Sequence, residues 1–119
     1  MEIKTIQIDS DTFLVFKGIE YRQINIKNIV SLKTSGKYCV ITDVHGYKTK
    51  VCCPLKNITG ALCINSIRVT QGFLINQKYI SEIIRKKDEN NTYVLKLNDD
   101  IHTTLDISLY MATNILKQL

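Results

Sequence analysis

The chain has 119 residues, of which 45% are apolar and 23% charged. That suits a single domain with a packed core and excludes a disordered tail. Net charge is +5, and it is uneven: residues 1–60 carry net +4 and residues 61–119 net +1. Lys27, Lys33, Lys37, Lys48 and Lys50 stand against the one acid Asp43 between positions 27 and 50, which reads either as a nucleic-acid surface or as a solvated lysine face.

Period-two alternation dominates in chain order. Ile6 and Ile8 alternate with Thr5 and Gln7, and Phe13-Leu14-Val15-Phe16 reads as a buried strand closed by Lys17-Gly18. This run is among the longest apolar runs and is too short to span a membrane. The N-terminus lacks the apolar core of a signal peptide, so the expected location is cytoplasmic, with no membrane contact. Residues 21–26 alternate again, and residues 29–32 form a short apolar strand. Residues 38–44 and 47–52 flank His45-Gly46, a hairpin turn in which glycine supplies a positive φ.

Pro54 suits a first helical position, and Leu55, Ile58 and Leu62 follow at helical spacing, so a short helix is expected over about 54–63. Residues 67–75 are extended with an interruption at Gly72, and residues 78–85 and 93–97 flank a polar hairpin loop. Asn98-Asp99-Asp100 is a turn before residues 101–105. Ile107, Met111 and Ile115 recur every four residues, giving a second helix over about 106–117 with Asp106 as its cap. The expected architecture is one all-β domain over 1–119, with antiparallel sheets and two short helices.

The cysteines Cys39, Cys52, Cys53 and Cys63 match no zinc template, since there is no C-x-x-C and no H-x-x-x-H. They read as reduced thiols packed as small hydrophobes. The alternatives are a metal site through Cys39, Cys52 and His45, or a redox sensor. No cofactor and no metal are expected. Enzymatic chemistry has little to work with: His45 and His102 are the only histidines, no nucleophile triad is supported, no paired carboxylates sit at helical spacing, and no glycine-rich phosphate loop follows a strand. A Cys39 or Cys52 thiol near His45 would be the one nucleophile pair, and spacing alone does not license it.

The order of the pieces resembles the LytTR domain, the DNA-binding output module of bacterial response regulators, from about Phe13 to Leu116. The resemblance is carried by Asn28-Ile29-Val30-Ser31-Leu32, by Gly36-Lys37-Tyr38-Cys39-Val40-Ile41, and by a Pro54-Leu55-Lys56 helix. It is carried above all by Ile67-Arg68-Val69-Thr70-Gln71-Gly72-Phe73-Leu74-Ile75-Asn76, with Tyr79, Ile80 and Ile83 after it. The resemblance implies small antiparallel sheets whose loops present three base-facing positions, which fall here on Tyr38, Gln71 and Asp106. It also implies double-stranded DNA as the partner and a homodimer on direct repeats. A LytTR-family or other regulatory protein is the further partner it allows.

Each of these residues has its own chemistry. The Tyr38 ring and hydroxyl suit a thymine methyl or a phosphate, or simply cover a core edge. The Gln71 amide can donate to and accept from adenine, or be an ordinary loop residue. Asp106 repels phosphate and is more simply a helix cap. Lys33, Lys37, Lys48, Lys50, Arg68 and Lys78 are the candidate phosphate contacts, with Thr70 standing where the family has histidine. Gly72 stands where the family has serine, and Leu105-Asp106 where it has a basic pair. From Asn98 to Leu116 there are three acids and no Lys or Arg, so phosphate affinity must come from elsewhere. The expected function is therefore a sequence-specific DNA-binding regulator. The alternative is a divergent adaptor or inhibitor of a DNA-binding partner.

Overall fold

A computed structural model describes residues 3–7, 12–17, 19–51, 66–87 and 91–119. The expected helix over 54–63 and Cys52, Cys53 and Cys63 lie outside the described residues.

Three antiparallel sheets account for the alternating sequence. The first joins β1 (Ile3–Gln7), β2 (Thr12–Lys17) and β3 (Glu20–Asn25) in that order. The central sheet holds β4 (Ile29–Ser35), β5 (Tyr38–Asp43), β6 (Lys48–Val51), β7 (Ser66–Thr70) and β8 (Phe73–Asn76), ordered β6-β5-β4-β8-β7. The third holds β9 (Ile80–Arg85), β10 (Thr92–Leu97) and β11 (Thr104–Ser108), ordered β11-β10-β9. Helix α1 (Leu109–Gln118) closes the chain.

The central sheet contributes side chains to a buried cluster on each of its faces. Leu32, Cys39, Ile41, Val51 and Leu74 join Val15 and Ile24 of the first sheet in one cluster. Val30, Ile67 and Ile75 join Leu95, Leu97, Ile107 and the helix residues Ala112 and Ile115 in the other. Strict alternation would put Val30 and Leu32 on one face. Instead the β4–β5 register shifts between Ile29 and Ser31, and this bulge lets Ile29 and Leu32 face one cluster while Val30 faces the other. Each of these side chains is at most 1% exposed, so each burial is worth about 1.5–3 kcal/mol.

Two short 3-10 turns with the same chemistry lead into β4 and β9. Asn25 accepts from the Lys27 N–H (2.9 Å) and Asn76 from the Lys78 N–H (3.2 Å), so Asn-x-Lys-x-Ile introduces each of these strands. The buried Asn76 amide also donates to the Ile29 carbonyl at 2.9 Å, and the Tyr79 hydroxyl donates to the Lys27 carbonyl at 2.7 Å. The two turns are thereby tied to each other, which fixes the third sheet against the central one. Burial, then Asp100, then Asp43 push the Tyr79 phenol above its ordinary value.

The His45-Gly46 turn forms as expected. Gly46 has φ +89°, and the Asp43 carboxylate accepts from the His45 and Tyr47 amides at 2.9 and 3.0 Å. The last helix begins later than expected. Residues 104–108 belong to β11, and Ser108, not Asp106, caps α1 by accepting from the Met111 N–H at 3.2 Å. Ile107 satisfies both the strand and the helix period, and its pairing with Tyr93 decides for the strand. His102, read as a strand residue, sits in a turn at φ +52°.

Candidate nucleic-acid interface

Strand register decides which candidate side chains share a face, because directly paired residues project to the same side. Lys50 pairs with Val40, Val40 with Lys33, Lys33 with Phe73, and Phe73 with Thr70. These form one row across all five strands of the central sheet. Lys48, Thr42, Ser31 and Ile75 form the next row on the same face. Ser35 and Tyr38 form the row before it. Lys33, Tyr38, Lys48, Lys50 and Thr70 therefore project from a single face. Lys37 joins them from the β4–β5 turn.

The ammonium groups are spread over aromatic rings. Lys37 and Lys50 lie 5.6 and 5.9 Å from the centre of the Tyr38 ring, and Lys33 lies 5.6 Å from that of Phe73. Among the described residues no carboxylate lies within ion-pair distance of Lys33, Lys37, Lys48 or Lys50. Their charge stays available to an outside anion. Below them runs an open groove of about 570 Å³ with Val40, Phe73, Leu97 and Leu105 in its floor and Lys33, Lys48 and Lys50 on its rim.

Gln71 is exposed on the β7–β8 turn. That turn is held at the β4–β5 end of the sheet by the Thr34 N–H and hydroxyl, which donate to the Gly72 carbonyl at 2.8 and 3.3 Å. With the Thr34 hydroxyl in this position the approach favours glycine, since a Cβ on Gly72 would lie 2.2 Å from the Thr34 hydroxyl oxygen. Gln71 and the Lys37–Tyr38 turn thus stand at the same end of the lysine face.

Two candidates lie elsewhere. Arg68 pairs with Leu74, whose side chain belongs to the opposite face, and its guanidinium donates to the Gln71 carbonyl. Its backbone is bracketed by the Gln118 amide, which accepts from the Arg68 N–H at 2.8 Å and donates to its carbonyl at 2.9 Å, covering the edge of β7. Lys78 sits on the 3-10 turn at the far end of β8, its ammonium 5.4 Å from the Tyr79 ring centre. The length of β4, about 20 Å at 3.3 Å per residue, separates it from Gln71.

Sequence reading missed Arg22 and Tyr47. The Arg22 guanidinium lies 5.7 Å from the exposed Tyr47 ring and donates to the Thr49 hydroxyl at 3.2 Å. It shares a surface depression with Lys48, Lys50 and the acid Glu20, three cations against one carboxylate, so a net basic surface continues around the β6 edge. The alternation of β3 puts Arg22 on the face of the buried Ile24, opposite Val15, but nothing in the sequence brings that face beside β6.

On and beside the third sheet carboxylates sit against two of the lysines. Asp106 pairs with Lys86 at 3.1 Å and Glu82 with Lys96 at 3.4 Å, while the Asp100 carboxylate hydrogen-bonds the His45 ring at 2.6 Å. The buried Asp99 carboxylate accepts from the Thr103 N–H and hydroxyl at 2.8 and 2.5 Å. Cys39 is fully buried in the first cluster, whereas His45 is exposed on its turn, so the two do not form a nucleophile pair. Among the described residues no three His, Cys, Asp or Glu side chains converge, and no helix is long and apolar enough to cross a membrane.

Comparison with known proteins places this geometry in context. Residues 20–119 match the family model of the LytTr DNA-binding domain. No curated protein matches the chain significantly. Among solved structures, the chain is similar to a LytTr DNA-binding domain assigned to a methyl-accepting/DNA response regulator from Bacillus cereus. The TM-score is 0.66 at 16% identity, over 91% of this chain and 95% of that one. At that identity the likeness concerns the fold.

Proposed function

Because this chain belongs to the LytTr DNA-binding-domain family, we propose that it binds double-stranded DNA sequence-specifically and acts as a transcription regulator. Lys33, Lys37, Lys48 and Lys50 hold phosphates, releasing condensed counterions on contact. Gln71 enters a groove at the end of that face, where its amide pairs with the N6 and N7 edge of adenine. Tyr38, held between two ammonium groups, packs on the sugar–phosphate or a thymine methyl. Arg22 and Tyr47 extend the phosphate track around β6. Arg68 positions the Gln71 turn from behind.

The observation that carries this reading is the register that sets Lys33, Lys48 and Lys50 on one face without carboxylate partners among the described residues. Fluorescence anisotropy against random-sequence duplex tests it. Micromolar affinity at low salt, falling steeply as salt rises, is expected. No binding at low salt would defeat it and favour an adaptor that acts through protein contacts alone.

A further inference from the structure

The groove under the lysine rim has a floor that DNA phosphates do not use. Its volume of about 570 Å³ falls inside the range of about 300–1,000 Å³ typical of small-molecule sites. The floor is aliphatic and aromatic, with Val40, Phe73, Leu97 and Leu105 meeting across the gap between the central and third sheets. Among the described residues the one acid in the wall is Asp99, only 4% exposed, which accepts from the Thr103 N–H and hydroxyl. Its single negative charge stands against the three ammonium groups of Lys33, Lys48 and Lys50, so the net charge at the mouth is positive. An apolar floor under a net cationic rim complements a molecule with an apolar body and one anionic head.

We propose that this groove binds a free, soluble medium-chain aliphatic carboxylate, its head at Lys48 and Lys50 on β6 and its chain running over Val40 and past Lys33 to Phe73. The row from Lys50 through Val40 and Lys33 to Phe73 crosses three strand spacings, about 14 Å. At about 1.2 Å per bond of extended chain, that accommodates roughly ten carbons. Occupancy neutralises the same ammonium groups that would hold phosphate, so carboxylate and duplex exclude one another. This last step rests on the DNA-binding reading above, while the site itself does not.

The test is titration of the full chain with decanoate below its micellar concentration, followed by amide chemical shifts. Saturable shifts confined to residues around Val40, Thr42, Phe73 and Leu97 are expected. Lys48→Glu with Lys50→Glu should weaken binding at least tenfold, and Val40→Phe, which fills the floor without changing charge, should do the same. Both variants are checked for an unchanged amide spectrum elsewhere, and the surface lysine pair keeps the test decisive if Val40→Phe perturbs the fold. Equal binding of decanol or decyltrimethylammonium, shifts centred on the exposed Leu109, Tyr110 and Leu116 of α1, or binding only to anionic vesicles would overturn the proposal. Duplex titration without decanoate reports separately on DNA binding, and adding decanoate should then release bound duplex. Simultaneous binding of both would overturn the exclusion step.

Discussion

Lys33, Lys48 and Lys50 on the central sheet differ from Lys86 and Lys96 on the third only in what the fold sets beside them. On the central sheet each lysine is paired across strands with an aliphatic, aromatic or hydroxyl residue. On the third, carboxylates of Asp106 and Glu82 stand within 3.1 and 3.4 Å. Exposed ion pairs of this kind contribute about 0–1 kcal/mol to stability, so their main effect is to withdraw charge from the surface. A count of lysines would treat both regions alike. Register and partner decide which of them carries a field outward.

The widest test of this contrast is charge reversal. Lys33→Glu, Lys48→Glu and Lys50→Glu together should lower duplex affinity at low salt by more than about 100-fold. The salt dependence should flatten by about 0.9 in log–log slope for each phosphate no longer neutralised. The matched reversal of Lys86 and Lys96 should change affinity by no more than about threefold, because those sites contribute little free charge. Equal effects from the two sets, read by anisotropy, would erase the distinction.

Gly72→Ala should come next. Its new Cβ meets the Thr34 hydroxyl at 2.2 Å, so either Thr34 rotates and gives up its hydroxyl bond to the residue 72 carbonyl or the turn carrying Gln71 shifts, at about 1–3 kcal/mol of stability measured by denaturant unfolding. Adding Thr34→Ala should recover part of that deficit, a non-additivity expected of residues that touch. Gln71→Ala should leave nonspecific affinity intact and cost about 1–3 kcal/mol of discrimination at one base pair, seen by competing cognate against random duplex.

Tyr79 gives a pH test. Its phenol is raised in the folded chain, so the neutral form is favoured there. The stabilisation is present below the ordinary tyrosine range and is lost as pH climbs through the raised folded value. Tyr79→Phe should remove that alkaline slope from unfolding curves, at about 1 kcal/mol for the missing hydrogen bond to Lys27. Smallest of all, Asp106→Asn removes the carboxylate 3.1 Å from Lys86 and should raise low-salt duplex affinity by no more than a few-fold, an effect of under about 1 kcal/mol.

Much of the fold is legible in the sequence because turn chemistry punctuates it. His45-Gly46 announces its hairpin, and Gly72 announces the break between β7 and β8. The start of α1 is misplaced by sequence because Asp106 and Ser108 are both capping residues two positions apart, with Ile107 fitting either period. The candidate site is legible strand by strand but not across strands. Alternation alone groups Lys48 with Lys50, yet nothing local says that Val40 lies between Lys50 and Lys33. Arg68 and Thr70 read as neighbours on one face until the register shift between them separates the two. Arg22 and Tyr47 meet only through the packing of one sheet against another.

The close approach of the β7–β8 turn to β4 also has a consequence for descent. Position 34 and position 72 are coupled: a lineage restoring the family's serine at 72 turns the threonine hydroxyl at 34 aside, replaces it, or lets the turn swing away and take Gln71 with it. Homologues should therefore show the two sites changing together, with a shorter side chain at one accompanying any side chain at the other.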